Sequence, residues 1–377
     1  MIQIILSLAT AALLAGTIIP LIRVDSVWVR AFDFPRSQIV ALGVVVGGAW
    51  LAIDDGNVVV RLAIGSLGVC LLYQMYRIWP YTRLHTLEVQ QSAAPAPTCC
   101  VSLLMANVLM ENRNIEPFMS IVERHRPDLV LTVETDHWWI EQLSARMRDY
   151  PHRVLHPQDN HYGMALFSRL RLLDSEVRFL VEDDIPSIHA QVQLAGGDLI
   201  CLHGLHPQPP LPYPQIDSTG RDAELVVVGR AVKAHMRPAV VAGDLNDVAW
   251  SHTTRLFQRL SGLLDPRIGR GMYNTFHASY PWLRWPLDHV FHSRHFRLVD
   301  LKRCAAFGSD HFPVYIKLSY VPENHAAQSK PVETIEEHVE ADVTIYNAEE
   351  MTGRAVESPF GAEQSTPSSQ QTSSPPL

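Results

Sequence analysis

Three apolar runs within the first 80 residues constrain this chain more than any other feature of its sequence. Residues 1–22 are apolar except for Gln3 and small hydroxyl residues, and a helix of that length crosses a hydrocarbon core of roughly 30 Å. The runs at 39–53 and 62–76 are shorter, but flanking arginine and aromatic side chains can reach the interface from such helices. We predict a membrane anchor over residues 1–80 with three transmembrane helices. The alternative is that the second and third runs are buried core helices.

The arginines around these runs indicate an orientation. Five lie before the second run or after the third, whereas the loop between those two runs has only Arg61, beside Asp54 and Asp55. Because basic residues favour the cytoplasmic side, the sequence predicts an amino terminus outside and everything after residue 80 in the cytoplasm. The five cysteines form no CxxC or Cys/His ligand pattern, which is typical of free thiols in a reducing compartment.

The rest of the chain divides by composition. Residues 81–98 contain a stretch of Gln, Ser, Ala and Pro and are predicted to be a linker. Residues 99–320 alternate short apolar runs with helical stretches, which favours two packed sheets covered by helices. Residues 321–377 are acidic and rich in Ser, Thr, Gln and Pro, so we predict a disordered tail.

The negative charge is concentrated in that tail. Formal net charges are +1 for residues 1–97, −1 for 98–320 and −8 for 321–377. A duplex-binding surface usually shows a basic excess, so the net charge does not require nucleic acid as a partner. A local basic strip could still follow a phosphate backbone or face anionic lipid. Its members are Arg267, Arg270, Arg284, Arg294 and Arg297.

The stretch 238–247 is a clear candidate for chemistry. An apolar run reaches Gly243, which allows a sharp turn, and Asp244 and Asn246 then project from the end of a predicted strand. A carboxylate and a carboxamide two residues apart could orient a water, a metal or a phosphate oxygen. Taken alone, the same string is also typical of an Asx turn without function.

Polar residues follow other predicted strands in the same way. If these strand ends meet at one mouth, they form a single site. Carboxylates, amides and histidines without cysteine suit Mg²⁺ or Mn²⁺ and phosphate better than structural zinc. The residues at the other strand ends are Asn107, Glu134, His206, Asp288, His289, Ser309, Asp310 and His311. We expect His289, and also His203 within a strand, to serve packing.

The motifs that carry these residues, in order, are MANV, LTVET, YGMALFSR, LHPQPP, GDLND, PLDHVF and GSDHFPV, over residues 104–314. This series resembles the endonuclease/exonuclease/phosphatase superfamily, in particular its bacterial members with membrane helices before the catalytic domain. The resemblance implies an α+β, four-layered α/β/β/α sandwich of the DNase I type. It also implies a catalytic domain over 99–320 that hydrolyses phosphate esters with Mg²⁺ or Mn²⁺, on a multi-pass protein of the bacterial inner membrane.

The resemblance also implies roles for the residues. Glu134 would be the main metal ligand, with Asn107 beside it and Asp310 coordinating the metal or lying behind its ligands. Asp244 and Asn246 would hold the attacking water and a phosphate oxygen. Asp288 would orient His311, which would activate water or stabilise phosphoryl charge. His206 would contact the phosphate or protonate the leaving oxygen. The chain departs from the family at Val133, where Gln is frequent, and at 161–164, where a glutamate partner for His206 would be expected.

Aromatic residues are predicted to line the mouth of the site, where they could stack a base, lie on a lipid interface or pack loops. Trp282, Trp285 and Arg284 are the predicted substrate contacts, and the pair Trp138 and Trp139 is a further candidate. The leading functional hypothesis is a membrane-anchored phosphodiesterase, a nuclease-like enzyme acting on nucleic acid. The alternatives are a phospholipid, sphingolipid or inositol phosphate hydrolase, and a catalytically silent membrane scaffold.

Overall fold

The amino-terminal part of the protein is a bundle of three long helices. The computed structural model describes residues 1–22, 26–93, 95–209, 218–323 and 328–360. The bundle consists of α1 (Ile2–Ile18), α3 (Arg36–Ala52) and α4 (Val58–Ile78), with the short α2 (Val27–Arg30) between the first two. Leu13, Val46 and Leu67, one from each long helix, pack together inside it.

Two segments of this bundle are long and apolar enough to span a membrane, Ile2–Leu21 and Val58–Tyr81. The remaining predicted span, the second apolar run at 39–53, corresponds to α3. This helix has 17 residues and reaches span length only if it is joined to the segment Val27–Asp33, from which it is bent by 66°. These helices indicate that the protein associates with a membrane.

The following domain contains two β-sheets. In sheet A the strand order is β10-β11-β1-β2-β4-β3, and in sheet B it is β5-β6-β7-β8-β9. The pairs β1/β2 and β7/β8 are parallel, and every other described pair is antiparallel. The strands are β1 (Cys100–Asn107), β2 (Leu129–Val133), β3 (His152–His156), β4 (Met164–Ser168), β5 (Arg171–Arg178), β6 (Ser187–Gln193), β7 (Leu199–Leu205), β8 (Ala239–Asp244), β9 (Asp288–His292), β10 (Phe296–Arg303) and β11 (Val314–Tyr320).

Apolar side chains from both sheets form one core between them, with Leu131 of β2, Leu202 of β7 and Val240 of β8 all buried in it. The outer face of sheet A is covered by α5 (Ile115–His125) and α6 (His137–Arg146), and that of sheet B by α7 (Thr219–His235) and α8 (His252–Ser261). Strands with two buried faces need a layer on each side. The arrangement is the predicted four-layered α/β/β/α sandwich, so the fold class is confirmed.

The segment 81–98 was predicted to be a linker that separates anchor and domain, and that prediction is wrong for residues 89–92. Val89 is fully buried in the core between the sheets. The backbone at Gln90 and Ser92 hydrogen-bonds to both sides of Leu298 in β10, with Leu298 N donating to Gln90 O and Ser92 N to Leu298 O. A composition typical of linkers did not reveal these partners, because they lie some 200 residues away.

The prediction of a disordered tail also fails in part. Residues Ile335–Thr352 form a helix, α9, which begins with a capping box made by Thr334 and Glu337. Acidic side chains of the tail pair with basic ones of α7 and α8, as in Arg230 with Asp342 at 2.7 Å and Arg259 with Glu337 at 2.5 Å. The composition of the tail predicted disorder because it shows the acidic residues but not the basic side chains of α7 and α8 with which they pair. Residues 361–377 lie outside the described part of the chain.

The bundle and the sandwich are in contact through the turn 247–251, which follows β8. Trp250 Nε1 donates to Asp33 O at 2.7 Å, and Arg77 Nη2 donates to Trp250 O at 2.6 Å. Tyr81 OH donates to Ala249 O at 2.5 Å. The side chains of Trp250 and Tyr81 are buried in this junction. The anchor therefore contacts the end of sheet B at which β7 and β8 finish.

Candidate active site

The ends of the two parallel strand pairs bring the predicted site residues together. Asn107 ends β1 and Glu134 follows β2, while Asp244 ends β8 opposite Asp288, the first residue of β9. We call this end of the sandwich the site end. Its tight closure depends on Gly243, because a Cβ there would lie 1.8 Å from Leu205 O of the neighbouring strand. Any larger residue would push β7 and β8 apart.

Asn107 connects the two sheets at the site end. Its side-chain Nδ2 donates to Glu134 Oε1 at 2.6 Å and to Asp244 Oδ2 at 3.1 Å. Glu134 adopts a left-handed backbone conformation with φ of 59°, which costs a residue other than glycine on the order of 1 kcal/mol. The carboxylate is thereby directed to Asn107 and to Met110 N, at 3.4 Å. Strain of this kind is typical of functional sites.

His311 and Asp288 form a buried acid–base pair. Nδ1 of His311 lies 2.7 Å from Asp288 Oδ2, and its Nε2 lies 3.5 Å from Asp244 Oδ2. Burial by itself would lower the pKa of His311, but the carboxylates of Asp288 and Asp244 outweigh it and raise the pKa to about 10. Without a bound metal the imidazole therefore holds its proton at neutral pH.

The same three residues could hold a metal ion, because one ligand atom from each lies within 4.8 Å of the others. Asp288 Oδ1 is buried and has no hydrogen-bond partner among the described residues. Asp310 is close by, and burial raises the pKa of its carboxyl; the His311 charge opposes this shift, while Glu134 and Asp244 add to it. The carboxylates of this cluster offer the oxygen ligands that a divalent cation prefers, whereas His311 could ligate such an ion only after losing its proton.

The remaining predicted residues also lie at the site end. His206 Nε2 is 3.9 Å from Glu134 Oε1, and its Nδ1 is 3.2 Å from Asp244 O. Asn246 has a φ of 51°, and its Nδ2 donates to Pro207 O at 2.9 Å. Ser309 Oγ donates to Asn107 O at 2.8 Å and so fixes the loop that carries Asp310. His203 and His289, expected to serve packing, are both buried.

The predicted substrate contacts differ in their surroundings. Trp282 is 80% exposed, whereas Trp285 packs against Phe34 of the anchor with ring centres 5.6 Å apart. Arg284 donates to His277 O and Ala278 O, which holds its guanidinium against its own loop.

Two other expectations fail. Trp139 is buried beneath sheet A in the core with α5 and α6, because it lies on the inner face of α6. Arg267 is buried and paired with Asp265 at 2.8 Å, so it contributes no charge to a surface strip. In both cases the fold buries a side chain that was expected at the surface.

Sequence reasoning missed two residues of the site. His161, at the position where a glutamate was expected, has Nδ1 3.3 Å from Glu134 Oε2 and Nε2 3.2 Å from Glu111 Oε1. Its place just before β4, which pairs with β2, was a usable signal. Thr275 Oγ1 accepts from Asp288 N at 3.2 Å. It lies in a long loop without periodicity, which offered no signal.

A four-layered α/β/β/α sandwich that gathers carboxylates, amides and histidines at one end of its strands defines a class of hydrolases that act on phosphate esters. The chain belongs to the Endonuclease/Exonuclease/phosphatase family, whose model matches residues 106–311. Members of this family are phosphoesterase hydrolases and generally depend on a divalent metal ion. No curated protein matches the chain.

Solved structures that resemble the chain are distant from it in sequence. A D. rerio TDP2 humanized by 14 mutations is 16% identical, covers 59% of this chain and 99% of its own, and has a TM-score of 0.48. The human Nocturnin catalytic domain is 15% identical, covers 60% of this chain and 97% of its own, and has a TM-score of 0.47. A Bacteroides thetaiotaomicron protein of the same family is 19% identical, covers 62% of this chain and 99% of its own, and has a TM-score of 0.47. Likenesses at this level say nothing about substrate.

Proposed function

We propose that this protein is a membrane-anchored, Mg²⁺-dependent phosphodiesterase. The Asn107 amide carries the proposal, because it bridges Glu134 of one sheet and Asp244 of the other. The proposed metal-binding carboxylate is thus held beside the carboxylate proposed to hold water. Three helices of the anchor, α1, α3 and α4, would cross the membrane, with the catalytic domain on the cytoplasmic side.

Glu134, Asn107 and Asp310 are the residues proposed to hold the metal. Their donors are carboxylate and amide oxygens, which Mg²⁺ prefers, and Mn²⁺ would also fit. When bound, the cation would neutralise charge that develops on the phosphoryl oxygens. Without it, the pKa of the Asp310 carboxyl is raised, first by burial and then by the nearby charges of Glu134 and Asp244.

The chain's own residues supply the proton transfers. The raised pKa of His311 favours the imidazolium form, so we assign His311 to stabilise phosphoryl charge and Asp288 to orient it. Asp244 then accepts a proton from the attacking water while the water oxygen bonds to phosphorus. His206 donates a proton to the leaving oxygen as its bond to phosphorus breaks. Asn246 remains a proposed contact of a phosphate oxygen.

Nucleic acid is the substrate class that the sequence predicts. A second candidate is the headgroup of a phospholipid or sphingolipid, and one observation favours it: the anchor contacts the sandwich at the site end, next to β8. A substrate within the bilayer surface would therefore lie close to the catalytic residues. Inositol phosphates are a smaller variant of the same ester chemistry.

The test uses the full chain in lipid nanodiscs, with Mg²⁺ or with EDTA. Bis(4-nitrophenyl) phosphate reports diester hydrolysis, and single-stranded DNA, abasic duplex, RNA, phosphatidylglycerol, sphingomyelin and inositol phosphates identify the substrate class. Glu134→Gln should lower Mg²⁺-dependent hydrolysis about a thousandfold, whereas substitution of the exposed Glu116 by Gln should leave it intact. Folded protein that hydrolyses none of these esters would favour the catalytically silent scaffold.

A further inference from the structure

One loop of the catalytic domain presents apolar side chains to the outside. Within residues 279–283, which we call the aromatic loop, Tyr280 is 56% exposed, Trp282 80% and Leu283 48%. Single exposed apolar residues need no explanation, but three within four positions form a patch that water disfavours. The loop precedes β9 and belongs to the site end of the sandwich.

The aromatic loop is attached to the anchor. Gln38 Nε2 donates to Trp282 O at 2.7 Å, and Phe34 packs edge-on against Trp285 just beyond the loop. Gln38 lies two residues after Arg36, the first residue of α3, which corresponds to about 3 Å along the helix. Helix ends of a membrane bundle lie near the headgroups, where tryptophan and tyrosine are favoured. The contact therefore places Trp282 at the depth of the membrane interface.

The charge near the loop is of the sign that such an interface attracts. Arg284, which follows the loop, and Arg303 both lie over the Phe312 ring, at 5.0 and 4.4 Å from its centre. Arg83 follows two residues after the candidate span Val58–Tyr81, and it lines one shallow groove together with Arg270, Lys302 and Arg303. Lys302 is paired with Asp300, but the three arginines keep the groove net basic. Basic residues at the end of a membrane helix interact favourably with anionic headgroups, by about 1 kcal/mol each.

The aromatic loop is also continuous with the candidate active site. Ala278 N donates to Asp310 O at 2.6 Å, and Phe312 N donates to Thr275 O at 2.9 Å. The Phe276 ring lies 5.0 Å from the His311 ring. A lipid layer that touches the aromatic loop would thus lie beside the catalytic histidine.

From these contacts we infer that the aromatic loop is a second membrane-contact surface, with Tyr280, Trp282 and Leu283 in the headgroup region of an anionic bilayer. The surface holds the mouth of the site against the lipid. Resting on the proposed phosphodiesterase function, the inference favours lipid headgroups over nucleic acid as substrate. The contact itself does not depend on catalysis, so the two can be tested apart.

The test compares two leucine-to-tryptophan variants of the full chain in nanodiscs made of phosphatidylcholine and phosphatidylglycerol, with or without brominated acyl chains. Leu283→Trp lies in the aromatic loop. Leu199→Trp is its matched control, because Leu199 is similarly exposed, at 43%, but begins β7, about 20 Å from the site end. Bromine quenches tryptophan emission only at short range. Native tryptophans contribute equally to both samples and are subtracted.

We expect brominated lipid to reduce the added emission of Leu283→Trp at least twofold and to leave that of Leu199→Trp unchanged. Trp282→Phe should correspondingly remove part of the native quenched emission. Equal and weak quenching of the two added tryptophans would overturn the inference, and so would quenching by a single-stranded oligonucleotide but not by lipid. The same comparison in a Glu134→Gln background should give the same result, because it requires no hydrolysis.

Discussion

The two sheets hold their halves of the candidate site by different means. In sheet A, Glu134 is fixed by Asn107, Met110 and His161, all within the catalytic domain. In sheet B, the turn that carries Asp244 and Asn246 continues into residues 247–251, which the anchor contacts from Asp33, Arg77 and Tyr81. Glu134, the proposed main metal ligand, is therefore held without contacts from the membrane segment, whereas the proposed proton-transfer half is braced by it.

A second connection runs through α7 to the same turn. Arg30 of the anchor pairs with Asp222 at 2.8 Å, and Arg221 beside it donates to Asn246 O at 3.1 Å. Both members of this relay on α7 are buried. The anchor thus helps to position residues at the end of sheet B, in addition to holding the protein at the membrane. The substitutions below test this difference between the halves.

The largest effect is expected at the sheet A half. Glu134→Gln should lower Mg²⁺-dependent hydrolysis about a thousandfold, because a Lewis acid contributes several kcal/mol. Calorimetric titration with Mg²⁺ should show the loss of binding in the same protein. Asp288→Asn is the contrasting variant: it should lose activity and retain Mg²⁺ binding. Loss of binding in both would mean that the metal depends on both sheets.

At the junction, Trp250→Ala should destabilise the protein by about 3 kcal/mol, since it removes a buried aromatic ring that joins anchor and sandwich. Its kcat, measured well below the melting temperature, should also be lower than that of the wild type, because the turn after β8 loses its support. Trp139→Ala removes an equally buried ring from the helices over sheet A. That control should lower the melting temperature without changing kcat; a kcat loss in both would contradict the comparison.

Arg221→Lys should reduce kcat about tenfold, equivalent to 1.4 kcal/mol, with little change in KM or Mg²⁺ affinity. Lysine keeps the charge beside Asp222 and Asp247 but cannot make the same fork of hydrogen bonds. Steady-state kinetics on a small diester separates the two parameters. If Mg²⁺ affinity falls instead of kcat, Arg221 supports the sheet A half.

The smallest effect concerns Glu88, in the segment that joins anchor and domain. Burial raises its pKa to about 7, so the folded protein binds a proton there that the unfolded chain, with a pKa near 4.5, releases. Stability from this group is present at low pH and falls as pH rises from about 4.5 through 7. The stability of Glu88→Gln relative to wild type should therefore rise by about 1 kcal/mol between pH 6 and pH 7 in denaturation experiments. An unchanged difference would contradict the burial argument.

Sequence predicted well what depends on neighbouring residues. A polar residue directly after an apolar run marks a strand end, and this local signal located Asn107, Glu134 and Asp244 and, with them, the site end. Asp288, predicted in the same way, begins β9 and does not follow a strand. The local signal could not find partners distant in the chain. The burial of Val89 and the ion pairs of α9 depend on the folded arrangement. Because of those contacts, part of the predicted linker and part of the predicted tail are ordered.

The backbone contacts of residues 90–92 with Leu298 have a consequence for solubility. β10 is the outermost strand of sheet A, and an outermost strand offers free N–H and C=O groups to any other chain. Gln90 and Ser92 occupy those groups at Leu298. A chain beginning at residue 98 would lack them, and its uncovered strand would be open to pairing between molecules. Aggregation of such a fragment would then report a missing cover on β10 and not an unstable sandwich.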